Sequence, residues 1–140
     1  MFNPSREQAR EFFFEVLRKG QEHLPLTQIE SQAWDIVSAH PEYHGLLANR
    51  NRNLERDWTP EQGETNPFLH LSLHLAVREQ LGIDQPPGLR AAWQGLLQAG
   101  VDEHAALHRI IDALAETLWE AQRHGRPIDA EAYLRRVRGQ

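Results

Sequence analysis

Apolar residues recur at three- and four-residue intervals along most of the chain, and the interruptions fall at glycines, prolines and capping residues. Phe12, Phe13, Val16 and Leu17 define a first amphipathic helix, expected to start near Asn3 and Pro4 and to stop at Gly20. Thr27-Gln28-Ile29-Glu30 has the form of a capping box and opens a second helix carrying Ile29, Ala33, Trp34 and Val37. Pro41 interrupts that helix and begins a shorter helical turn through Leu46 and Leu47. Residues 48–66 are polar, contain Pro60 and Gly63, and form the longest loop, of a length that is either mobile or functional inside a compact domain. Asn66 and Pro67 restart a helix that runs from Phe68 to Leu81 before Gly82 and the Pro86-Pro87-Gly88 stretch. A helix over Leu89 to Gln98 follows. Asp102 caps a long helix to Arg123, closed by His124 and Gly125, and Asp129 caps a last one to Arg138. No segment shows the β-branched alternation of a strand. The pattern predicts an all-α fold: one helical-bundle domain over residues 1–140, with roughly four main helices and some short ones.

Composition narrows the chemistry. The chain has no cysteine, which excludes disulfides, thiolate metal sites, iron–sulfur clusters and a cysteine nucleophile. Fifteen basic and 20 acidic residues give a net charge of −5, with the signs interleaved as on a solvated surface. Arg50, Arg52 and Arg56 form a basic cluster, and Arg135, Arg136 and Arg138 another; each reads more simply as the outer face of a helix than as a phosphate cradle. The amino terminus lacks the pattern of a secretory signal, and no apolar run is long enough to span a membrane, so the cytoplasm is the expected location. There is no glycine-rich phosphate loop or nucleophile elbow.

The distinctive feature is histidine. The spacing His-x-x-x-His occurs three times, at His40/His44, His70/His74 and His104/His108, and takes six of the chain's eight histidines. Residues four apart on a helix lie on one face, and two imidazoles so placed can bind one metal ion. His70 and His74 fall within the apolar arc of Leu73, Val77 and Leu81, on a helix apolar on most sides, whereas His104 and His108 sit at the edge of the apolar line of Leu107, Ile110, Ile111, Leu114 and Leu118. A buried imidazole needs a hydrogen-bond partner or a metal. Asp112 shares the face of His108, and Glu116 lies one turn further on. The expected site is therefore a histidine and carboxylate metal centre, possible for one or two ions, built from His70, His74, His104 and His108 with His44 and with Asp112 or Glu116. Without thiolates the ion is divalent or trivalent: iron, zinc, manganese or nickel.

Plainer roles stand beside this one. The rings could be core histidines in a hydrogen-bond network of a metal-free interaction domain, with Trp58 and the Ile83–Leu89 turn meeting a protein partner or a second copy of the chain. Pro41 between His40 and His44 disfavours a regular helix there, so that pair is the weakest of the three. Trp34, Trp93 and Trp119 are expected in the core. Nucleic-acid binding through Arg50, Arg52 and Arg56 ranks last.

The segment Asn66-Pro67-Phe68-Leu69-His70-Leu71-Ser72-Leu73-His74-Leu75, with Met1-Phe2-Asn3-Pro4-Ser5-Arg6, His40-Pro41-Glu42-Tyr43-His44 and Ile83-Asp84-Gln85-Pro86-Pro87-Gly88, resembles an uncharacterised bacterial family, domain of unknown function 1841, over the full length. That resemblance implies no activity. A partial likeness links the chain to hemerythrin-like four-helix bundles, in which histidines and carboxylates hold two irons. His104 to His108, His74 to Glu79 and His108 to Asp112 match spacings of that pattern, although the order along the chain differs and the first helix has no histidine.

Overall fold

In the computed structural model, which describes residues 5–58 and 66–139, the ordered elements are all helical. They are α1 (Arg6–Gln21), α2 (Gln28–Ser38), a 3-10 turn η1 (Pro41–Tyr43), α3 (His44–Leu47), α4 (Arg50–Asn53), α5 (Pro67–Ile83), α6 (Leu89–Gln98), α7 (Glu103–His124) and α8 (Ala130–Arg138). Among the described residues there is no strand, and no helix is long and apolar enough to cross a membrane. Contacts divide the chain into two compact units, Met1–Leu75 and Ala76–Gln140, and the boundary falls inside α5.

In the first unit, α1 starts at a capping box: the Ser5 hydroxyl accepts from the Gln8 amide while the Gln8 side chain accepts from the Ser5 amide. The start expected at Asn3 and Pro4 lies outside the described residues. Gly20 does not end α1. It is buried inside the last turn, and a Cβ there would collide with the indole of Trp34, so this glycine lets α2 approach the α1 backbone. Thr27 and Glu30 form the predicted reciprocal cap of α2. The core of this unit gathers Phe13, Val16 and Leu17 of α1, Ala33, Ile36 and Val37 of α2, Leu47, and Phe68, Leu71 and Leu75 of α5. Each valine, leucine, isoleucine or phenylalanine among them contributes on the order of 1.5–3 kcal/mol through burial. The expected long loop is shorter than its polarity suggested, because Arg50–Asn53 forms α4; Pro60 and Gly63 lie outside the described residues.

In the second unit, Gly82 is passed by α5, which continues to Ile83. Arg90 reaches back to the carbonyls of Leu81 and Gly82 and satisfies the end of that helix, while Asp84 accepts from the Arg90 amide. Asp102 and Asp129 cap α7 and α8 through the amides of Ala105 and Ala132, as predicted, and Gly125 closes α7 in the left-handed conformation. The buried side chains here include Leu89, Leu96, Ile110, Ile111, Leu114, Tyr133 and Val137. Tyr133 donates to the Gln80 side chain at 2.7 Å, and burial pushes its phenol well above the ordinary tyrosine value. Trp119 departs from the expectation: it is 56% exposed, with the Arg123 guanidinium 5.0 Å from its ring centre, since the apolar line of α7 is already filled by smaller side chains.

Candidate metal centre

The site begins at the end of α2. The last carbonyls of a helix have few intrahelical donors, and two of these, Ile36 and Val37, accept from a histidine ring in addition to the amides of Ala39 and His40. The Nδ1 of His40 lies 2.7 Å from the Ile36 carbonyl, and the Nε2 of His44 lies 2.9 Å from that of Val37. A carbonyl can only accept, so each ring nitrogen donates its proton there. This fixes the neutral tautomers: His40 keeps its lone pair on Nε2, and His44 keeps its own on Nδ1. Pro41 explains why one spacing yields two destinations. It starts η1 and leaves His40 non-helical, at φ −125° and ψ 64°, while His44 begins α3. The two rings therefore do not share a helix face.

His70 and His74 do share one, on an unbroken stretch of α5. Their ring centres are 4.8 Å apart, and the His40 ring stands 5.2 Å from His70 and 4.6 Å from His74, each pair near-perpendicular. His40 and His74 are buried, at 3% and 7% exposure, and His70 is half-buried. The potential ligand atoms of His40, His70 and His74 lie within 4.8 Å of one another. Even at that full separation the centre of the triangle is about 2.8 Å from each nitrogen, so inward shifts of about 0.7 Å per ring would reach the ~2.0–2.1 Å of a zinc–imidazole bond. Tyr43 stacks on His40 at 5.6 Å, nearly parallel, and packs against His70 at 6.1 Å; burial pushes its phenol up, with the neighbouring Glu42 charge adding to the effect. It forms a wall of the cluster.

The second unit holds the other expected ligands. His104 is exposed and His108 half-buried, with ring centres 4.1 Å apart on α7. His108 Nδ1 donates to the His104 carbonyl at 2.9 Å, which leaves its lone pair on Nε2, the same tautomer as His40. Asp112 and Glu116 are exposed, and the Glu116 carboxylate lies 3.6 Å from Arg136. Glu79 is exposed as well.

Two arginines of the basic cluster are engaged internally. Arg50 pairs with Glu11, whose carboxyl is held below the usual range by that hydrogen bond, and the Arg56 guanidinium lies 4.8 Å from the Trp58 ring centre. Arg52 is exposed.

Sequence reasoning singled out His70 and His74, which the structure brings together, and gave His44 the place beside them that His40 occupies. The signal that could have found His40 is Pro41 itself. A proline that ends a helix turns the residue before it away from the helical path, and so allows that side chain to fold back inward.

A family model described as Domain of unknown function (DUF1841) matches residues 5–139. The chain belongs to this family. No curated protein and no solved structure matches it. The match takes in His40, His70, His74 and His108 of this DUF1841 chain but carries no activity, so a function has to be argued from the site. The hemerythrin-like spacings lead no further, because the carboxylates they would enlist, Glu79 and Asp112, are exposed.

Proposed function

We propose that this DUF1841 protein binds a metal ion through the imidazoles of His40, His70 and His74. The observation that carries the proposal is the convergence of three buried or half-buried imidazoles, one of which is locked by the Ile36 carbonyl into the tautomer that ligates through Nε2. A backbone acceptor on the remote nitrogen is the usual device for orienting a metal-binding imidazole and raising its basicity. An all-imidazole donor set suits zinc, nickel or iron better than manganese, which favours oxygen ligands. His44, committed to Val37, and the exposed Asp112 and Glu116 are left out of the proposed set. Three imidazoles would leave a fourth coordination position open to water, where the ion could polarise a bound molecule.

The test is elemental analysis of protein purified without an affinity tag, followed by zinc and nickel titration against a coloured chelator. Near one equivalent of metal in the parent protein, lost in His70→Ala/His74→Ala, is the expected result. Less than a tenth of an equivalent after supplementation refutes the proposal.

A second reading has one observation in its favour: both His40 and His44 satisfy carbonyls at the end of α2, as histidines with a purely structural task would. A metal-free network predicts a melting temperature indifferent to chelator and to added metal.

A further inference from the structure

On the side of α5 away from His70 and His74, a cleft of about 370 Å³ lies against a buried cation. Arg10 of α1 is only 2% exposed, yet it lines the cleft. Among the described residues its hydrogen bonds all leave from Nη1, which donates to the carbonyls of Asn53 (3.2 Å), Leu54 (2.8 Å) and Arg56 (2.8 Å). The guanidinium carbon sits 5.1 Å from the Trp58 ring centre and 5.0 Å from that of Phe68. The Nε–Nη2 edge carries none of these bonds, and that edge offers the two parallel N–H groups that a carboxylate takes in bidentate fashion.

The charge balance leaves room for an anion. Arg6 also lines the cleft and donates to Asp57 at 2.6 Å, so Asp57 is neutralised by Arg6. Among the described residues that line the cleft, Arg10 then remains as one positive charge in excess. Burial pushes it below the ordinary arginine value, with the Arg6 charge adding to the effect and Asp57 opposing it. A buried cation with three neutral acceptors and, among the described residues, no carboxylate on its Nε–Nη2 edge is expensive, and an incoming anion would relieve that cost. Trp58 and Phe68, in edge-to-face contact at 5.6 Å, supply flat apolar walls, and Ser72 lines the cleft from α5. The volume lies within the range of small-molecule sites, roughly 300–1,000 Å³.

We infer that this cleft binds a small monocarboxylate with a flat apolar body, its carboxylate held by the Nε–Nη2 edge of Arg10 and its body laid against Trp58 and Phe68. The inference is independent of the metal reading.

Calorimetric titration of the full chain with benzoate, benzamide and inorganic phosphate tests it. Benzoate should bind saturably with one site, and benzamide and phosphate at least tenfold more weakly. Arg10→Lys keeps the charge but not the fork and should weaken benzoate at least tenfold. Because Arg10 also holds the carbonyls of residues 53, 54 and 56, that variant could lose its fold. Ser72→Phe fills the cleft without touching those bonds and should abolish benzoate binding while the circular dichroism spectrum stays that of the parent. No saturable benzoate binding, phosphate binding as tight as benzoate, or benzoate binding unchanged in Ser72→Phe would each overturn the inference.

Discussion

The two ends of α2 are satisfied by different chemistry. At the amino-terminal end Thr27 and Glu30 exchange hydrogen bonds within four residues of chain, and Lys19 of α1 adds an ion pair to Glu30 at 2.8 Å. At the carboxy-terminal end His40 and His44 donate to Ile36 and Val37, and His40 also faces His70 and His74 from α5. The first end is a local device whose parts need one another and little else. The second joins a local duty to a distant one, so the same ring that closes a helix is also a member of the imidazole cluster.

Replacing His40 should break the comparison most severely. His40→Ala removes a proposed ligand and the donor to Ile36 together. Changes to residues that only orient a ligand cost 10–100-fold in metal affinity, so a loss of more than about 100-fold is expected. Stability of the metal-free protein should fall by about 1 kcal/mol, the net worth of one hydrogen bond, since the Ile36 carbonyl still accepts from the Ala39 amide. Chelator competition and urea unfolding check the two parts separately.

His44→Ala sharpens the contrast, because it removes only the bond to Val37. A loss of about 1 kcal/mol in urea unfolding is expected, with metal affinity within threefold of the parent. A large drop in affinity would place His44 in the metal shell after all.

At the other end, Thr27→Ala should cost about 1 kcal/mol, the usual worth of an amino-terminal cap, with no change in metal content. Glu30→Gln should have the smallest effect at neutral pH, since glutamine can still complete the reciprocal cap. Its signature is in the pH dependence. The hydrogen bond from Lys19, then that from the Thr27 backbone, holds the Glu30 carboxyl below its ordinary value. A carboxyl lowered on folding stabilises the protein fully above its unfolded value and loses that contribution as pH falls through the lowered one. Parent and Glu30→Gln should therefore differ most near neutrality, and their unfolding curves should converge as the pH drops below about 4.

The caps show how much of the fold was readable from local chemistry. Thr27 with Glu30, Asn66 ahead of Pro67, Asp102, Gly125 and Asp129 all mark helix ends where the structure places them, because a cap is a contract between residues a few positions apart. Gly20 and Gly82 were misleading for the complementary reason. A glycine between two apolar runs reads as a stop, but Gly20 is required where Trp34 crosses α1, a contact set by residues fourteen positions away.

The candidate site divides along the same line. The four-residue spacing of His70 and His74, on a helix with no breaker between them, determined that their rings would meet on one face. The same spacing in His40 and His44 did not, since Pro41 breaks the helix and the path of the chain afterwards decides where each ring goes. Only the tertiary structure set His40 against α5, and only it buried Arg10 beside Trp58 and Phe68. Sequence governs periodicity and capping because these act through backbone geometry over one or two turns. Which distant side chains share a space depends on how the helices pack, and no single helix carries that information.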